Sequence, residues 1–209
     1  MTAVWGPLGW LTLHSVATSY SETPTESERA LMDSWLNMFR DTITCASCRA
    51  HFTELLAKYR ALFPNMLYSR QEFAMFSFRA HNAVNARLMK PIYGTLDECL
   101  STLRKATEHR PARDYRISYI NHIMQNWSAY RDVSGIAAVR KILEMRKVET
   151  DYVGPRDTKF QMTLIPDLVV LPTNSLSKVP EATGRPRMNP RAVTGGGFRL
   201  TSTGFRLQR

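Results

Sequence analysis

Ser69-Arg70-Gln71-Glu72 opens one uninterrupted stretch, His81-Asn82-Ala83-Val84-Asn85-Ala86-Arg87-Leu88-Met89-Lys90 follows, and Pro91 closes it. A serine with a glutamate three residues on is a capping box, which satisfies the free amides at a helix start. Proline has no amide to donate and disfavours helical geometry in the residue before it. The stretch is therefore predicted as a single helix from about Ser69 to Lys90. On that helix His81, Asn82, Asn85 and Leu88 share one face. Asparagine is a poor residue for a helix interior. A buried amide without a partner costs ~1–3 kcal/mol. Something polar must therefore lie against this face. A hydrogen-bonded core histidine with solvent-facing amides fits the same residues.

Working outward, four more helices can be read in the first 107 residues. One runs from about Pro7 to Ser19, with Trp10, Leu13, His14 and Ala17 on one face. Another opens on the capping box Thr25/Glu28 and carries Leu31, Trp35, Met38 and Phe39. A third starts around Cys45 and carries Phe52, Leu55, Leu56 and Tyr59. The last begins on the box Thr95/Glu98 and fades near Thr107. No segment alternates with a period of two. The reading is an all-α fold, an antiparallel four-helix bundle with a short fifth helix, over residues 1–108.

Further helices follow at 109–150, with Ile117, Ile120, Ile123, Met124 and Trp127 on one face and Ile136, Val139, Ile142, Leu143 and Met145 on another. From Val153 periodicity is lost among prolines and glycines. Residues 151–209 read as a basic, largely disordered tail with one short extended piece at 163–171. Net charge is +10, yet the first hundred residues hold nine basic and nine acidic side chains. The whole excess lies in the second half, so chemistry in the first does not rest on net charge. Arg140, Lys141, Arg146, Lys147 and the arginine-rich tail suit nucleic acid, an anionic surface or a partner protein. A solvated helix face and solubilising arm explain them as well.

Upstream of the central helix stands Cys45-Ala46-Ser47-Cys48. A CxxC at a helix start meets free amides and the positive end of the helix dipole. Both favour a thiolate, as do Arg49 and His51 nearby. A structural zinc site needs four ligands, and the one other thiol is Cys99, so a non-enzymatic zinc-binding module has only unusual spacings to draw on. A thioredoxin-like redox site would need flanking strands. Three cysteines do not make a secreted disulfide scaffold. The first residues lack the pattern of a signal peptide, and no apolar run spans a membrane. The expected location is cytoplasmic.

With Trp10, His14, Tyr20, the CxxC and the complete string His81-Asn82-x-Val84-Asn85-x-x-Leu88-x-Lys90-Pro91 in this order, residues 5–105 resemble the Erv/ALR family of FAD-linked sulfhydryl oxidases. Trp5-Gly6-Pro7 resembles the members encoded by large DNA viruses, which would place the protein in a host cytoplasm or a virion. The resemblance implies a four-helix bundle holding FAD at one end. It implies that Trp10, His14 and Tyr20 line the cofactor from the first helix, and His81, Asn82, Val84, Asn85 and Lys90 from the fourth. Cys45 would be the thiol that a dithiol substrate or a CxxC relay protein attacks, and Cys48 the one next to the flavin. Electrons would pass to O2, giving H2O2. Members usually pair through the first two helices, which makes Leu31, Trp35 and Met38 a candidate homodimer surface. Two departures stand out. No second shuttle pair exists, and Phe78 sits where cellular members carry a structural cysteine. Cys99 is therefore expected to be buried and inert.

Overall fold

The computed structural model of the protein describes residues 2–163. Among these the regular structure is entirely helical. The helices are α1 (Thr2–Thr18), α2 (Glu26–Thr42), α3 (Ala46–Leu62), α4 (Arg70–Arg87), α5 (Leu96–Ala106), α6 (Ala112–Ser128) and α7 (Val133–Val148). A π-helical turn, Glu149–Val153, and a 3-10 turn, Gly154–Arg156, follow. The basic tail from 164 onward, with most of the extended piece read at 163–171, lies outside the described residues.

The predicted starts rest on the expected caps. Thr25 and Glu28 form the full reciprocal box, and Ser69 accepts from the Glu72 amide. Thr95 accepts from the Glu98 amide, while the Glu98 carboxylate reaches back to Gly94 N–H at 2.7 Å. Two boundaries differ from the sequence reading. α1 begins at Thr2, so Pro7 lies inside it and not in its first turn. α4 ends at Arg87, three residues early. There Lys90 N–H donates to Asn85 O and Met89 N–H to Ala86 O, with Met89 at φ 54°. This is the Schellman way of using up terminal carbonyls.

Helices α1 to α4 form the bundle, and α1 and α4 run antiparallel: Tyr20 packs on Phe73 and Trp10 on His81. The interior is aromatic. Trp35, Phe39, Phe52, Tyr59, Phe73 and Phe76 are all buried in one cluster. Each is worth roughly 1.5–3 kcal/mol in apolar burial. A second cluster under α5 joins Leu11, Phe78, Leu96, Cys99, Leu100 and Phe160.

The second half belongs to the same core. α6 lies along α1, and its Tyr119 sits 5.4 Å from Phe39, ring to ring. α7 lies along α2. Thr42 Oγ1 lies 3.7 Å from Met145 Sδ, and Tyr152 OH donates to Glu28. These contacts bracket the α2 stripe of Leu31, Trp35 and Met38, in which Trp35 is only 3% exposed. The expected dimer surface is therefore covered from within the chain. On α6 and α7 the apolar faces are only half used: Ile120, Ile123, Ile142 and Met145 are buried, whereas Ile117, Ile136 and Leu143 are exposed. Packing also outlasts periodicity, because Tyr152, Val153 and Phe160 are buried.

Arg116 on α6 is fully buried. Its guanidinium makes a bidentate bond to Glu149, at 2.7 and 3.0 Å. It also donates to Ser15 Oγ on α1 and to Asp157. No periodicity in the sequence signals this cluster.

Candidate active site

Cys45 is the N-cap of α3, and its sulfur accepts from Cys48 N–H at 3.3 Å. The two cysteines are joined as a disulfide. This is the helix-start position that the CxxC spacing predicts. Arg49 donates to Ile43 O and stacks over Trp127. His51 is exposed and bonded to Arg87 of α4. A groove of about 750 Å³ opens beside the motif, lined by Ala46, Ala50, Thr53 and Ala57 of α3 and by Arg40 and Asp41 of α2. Among the described residues no group of three His, Cys, Asp or Glu side chains is placed to hold a metal ion.

Cys48 and Phe52 lie one turn apart on α3. Phe52 meets Trp10 edge to face at 6.4 Å, and Trp10 stacks on His81 at 4.3 Å with 7° between planes. Phe52 thus links the helical turn that carries the disulfide to a flat, partly exposed pair of rings. His14 is buried behind them. Its Nδ1 lies 2.9 Å from Ser77 Oγ and its Nε2 2.9 Å from His81 Nδ1. Cys99 is buried and reduced, with its sulfur 3.9 Å from the same His14 nitrogen. Burial pushes the Cys99 thiol up to about 12, with Glu98 adding to it. It is therefore protonated and unreactive at neutral pH. Phe78 lies in the same apolar cluster as Cys99. Burial, reinforced by His81, holds the His14 imidazole well below its ordinary range. Burial, then the Lys90 charge, lowers His81 to about 4. Both rings are neutral at pH 7.

The two asparagines find partners within the chain. Asn82 is buried and clamps one backbone unit, donating to Tyr93 O at 2.8 Å and accepting from Tyr93 N–H at 3.0 Å. Asn85 donates to Pro91 O. The polar partner of this face is thus the 91–93 loop. Tyr93 in turn meets His81 edge to face. Val84 is partly buried against the main cluster. Lys90 is exposed and meets no carboxylate among the described residues, and the exposed Leu88, Met89 and Ile92 flank it.

Tyr20 stands apart. It is buried, donates to Leu67 O and packs on Phe73, two turns and about 12 Å along α4 from His81 by helical rise. The structure brings Trp10, His14, His81, Asn85 and Lys90 to one end of the bundle beside the CxxC, and Tyr20 is not among them. Ser77, Phe52 and Tyr93 are additions to the sequence reading. Ser77 stands four residues before His81 on α4, a spacing that could have revealed it. Tyr93 has no local signal.

This end offers planar aromatic surface, an apolar ledge, an imidazole nitrogen and a free ammonium. That donor set suits a flavin dinucleotide, with Trp10 and His81 against a ring and Lys90 near phosphate.

Comparison with known proteins agrees. The model of the Erv1 / Alr family matches residues 8–114. A FAD-linked sulfhydryl oxidase of Invertebrate iridescent virus 3 is 35% identical over 88 residues, 42% of this chain and 58% of the relative. That of African swine fever virus (isolate Tick/Malawi/Lil 20-1/1983) is 36% identical over 88 residues, 42% of this chain and 71% of the relative. The mitochondrial FAD-linked sulfhydryl oxidase of Saccharomyces cerevisiae is 36% identical over 86 residues, 41% of this chain and 43% of the relative. The match thus spans between about two fifths and seven tenths of these three relatives. No solved structure matches.

Proposed function

Because the chain belongs to the Erv1 / Alr family of FAD-linked sulfhydryl oxidases, we propose that it oxidises pairs of thiols in partner polypeptides through Cys45 and Cys48, with O2 as the final acceptor. The observation that carries this reading is the disulfide at the start of α3, one turn from Phe52, whose ring meets the Trp10 that stacks on His81. A substrate thiolate attacks Cys45 Sγ, and the Cys45–Cys48 bond breaks to leave a mixed disulfide and a Cys48 thiolate. The α3 amides and helix dipole stabilise that anion. The second substrate thiol then attacks its own mixed sulfur. The substrate leaves as a disulfide, and Cys45 and Cys48 are left as a dithiol. FAD bound at this end would supply the two-electron acceptor that returns the Cys45–Cys48 dithiol to the disulfide and passes the pair, with two protons, to O2 as H2O2. Trp10, His81, Asn85 and Lys90 would hold the cofactor, His14 would position His81 from behind, and Asn82 keeps the 91–93 loop in place.

A groove lined by Ala46, Ala50 and Thr53 opens beside the CxxC, and it is the side from which a partner would approach Cys45. The partner is a dithiol protein or a CxxC relay protein, since this chain carries no second cysteine pair. We place its action in a host cytoplasm or a virion, in line with its viral relatives. Nucleic-acid or anionic-surface contact through the basic second half, and a homodimer, are also part of the proposal. The dimer would form through a face other than Leu31, Trp35 and Met38.

The test is the purified protein's colour and its turnover of dithiothreitol. Yellow protein that consumes O2 and releases equimolar H2O2 is expected. Cys45→Ser and Cys48→Ser should both abolish turnover, and Cys99→Ser should retain it. Colourless protein, or loss of turnover only in Cys99→Ser, refutes the assignment.

A further inference from the structure

Ser77, His14 and His81 form a chain of hydrogen bonds that crosses from α4 to α1 and back. Its direction can be derived. Ser77 Oγ lies 2.8 Å from Ala74 O and 2.9 Å from His14 Nδ1. A carbonyl oxygen only accepts, and a hydroxyl has one hydrogen. Two oxygens 2.8 Å apart repel unless a hydrogen lies between them, which favours placing that hydrogen toward Ala74, so that Ser77 Oγ accepts from His14 Nδ1–H. A neutral imidazole carries one proton. His14 Nε2 is then bare and accepts from His81 Nδ1–H, 2.9 Å away. The Cys99 thiol, 3.9 Å from that nitrogen, is compatible with this sense as a weak donor. His81 is left with an unprotonated Nε2. No side chain among the described residues bonds to it. Trp10 covers the face of the ring and Tyr93 meets it edge to face.

We propose that Ser77 is a positioning residue: its hydroxyl fixes the tautomer of His14 and through it that of His81, so that His81 meets the flavin nucleotide with a hydrogen-bond-accepting Nε2. The group it meets is a donor on the cofactor, a hydroxyl or an N–H, and not a carbonyl or a phosphate oxygen. Identifying that partner as a flavin nucleotide rests on the functional reading above. The tautomer assignment itself does not.

Long-range ¹⁵N–¹H correlation on histidine-labelled holoprotein at neutral pH reads the tautomer directly. Wild-type protein is expected to show His14 and His81 both protonated at Nδ1. Ser77→Ala removes the acceptor for His14 Nδ1–H and frees the chain to reverse. Its His81 signals should move toward the Nε2–H form, and its FAD dissociation constant should rise about tenfold, the size of one lost hydrogen bond. Ser77→Thr keeps a hydroxyl there and should keep the wild-type pattern. A wild-type His81 protonated at Nε2 overturns the proposal. So do a Ser77→Ala protein with unchanged His14 and His81 signals and a threonine variant that behaves as the alanine one. Colourless wild-type protein would instead overturn the functional reading, and the tautomer spectrum would still decide this one.

Discussion

At Met89 the backbone turns left-handed, at φ 54°, so that the end of α4 can close on itself before Pro91. A side chain with a Cβ pays roughly 1–2 kcal/mol for that conformation, and glycine does not. Met89 is 94% exposed, so little packing is lost with its side chain. Met89→Gly should therefore stabilise the fold by about 1 kcal/mol, read as a higher melting temperature. The buried histidines give a pH dependence. His81 is lowered to about 4 in the folded protein, from an ordinary 6.5. Between those values the unfolded chain binds more protons than the folded one, so stability is full above pH 6.5 and falls as the pH drops toward 4. The loss should be on the order of 3 kcal/mol, since each pH unit between 6.5 and about 4 contributes ~1.4 kcal/mol. Urea unfolding at stepped pH measures it, and His81→Gln should flatten the curve over that window.

Among the elements, α4 and the loop after it act as a unit because Asn82 holds both backbone groups of Tyr93. Asn82→Asp keeps the shape but turns the donor toward Tyr93 O into a second acceptor. It should cost about 1–3 kcal/mol and raise the hydrogen-exchange rate of the Tyr93 amide more than that of amides in α2. Equal exchange at both places would show that the clamp does not hold the loop. The capping boxes were legible in the sequence because they are local, with partners three residues apart. The Asn82–Tyr93 clamp was not, because neither residue type specifies a partner eleven positions away. A polar partner for this face could be inferred, but not that the chain itself supplies it.

Over the whole molecule, Arg116 ties α1, α6 and the turn at Glu149 through one buried charge. Glu149→Gln leaves that guanidinium with Asp157, at 3.3 Å, as its remaining carboxylate partner and should destabilise the protein by about 3 kcal/mol. The double change Arg116→Met with Glu149→Leu should recover most of the loss. Chemical denaturation of the two variants checks this. Removal of residues 164–209 should leave FAD content and dithiothreitol turnover unchanged. Removal of 149–209 takes away Glu149, Tyr152, Val153 and Phe160 and should leave the protein unable to fold stably. A shortened protein ending at 148 that melts like the full chain would show that the buried cluster is not required.

Short-range physics set much of this protein from sequence alone. Helix faces repeat every three or four residues, caps lie within one turn, and a CxxC carries its own geometry. The bundle, the CxxC at the start of α3, the Trp10–His14 face of α1 and the His81 face of α4 followed from these, and the resemblance brought the two faces together. The resemblance supplied the cofactor. Only the tertiary structure decided that the apolar stripe of α2 is covered, because α7 competes for the same stripe that the sequence offers to a partner. It alone set Tyr20 away from the histidines, since direction along α1 is invisible until α4 lies antiparallel beside it. It also decided that an arginine in the basic half is a core residue, because one charge can be buried where three distant segments converge to neutralise and hydrogen-bond it, and nothing local to Arg116 announces that convergence.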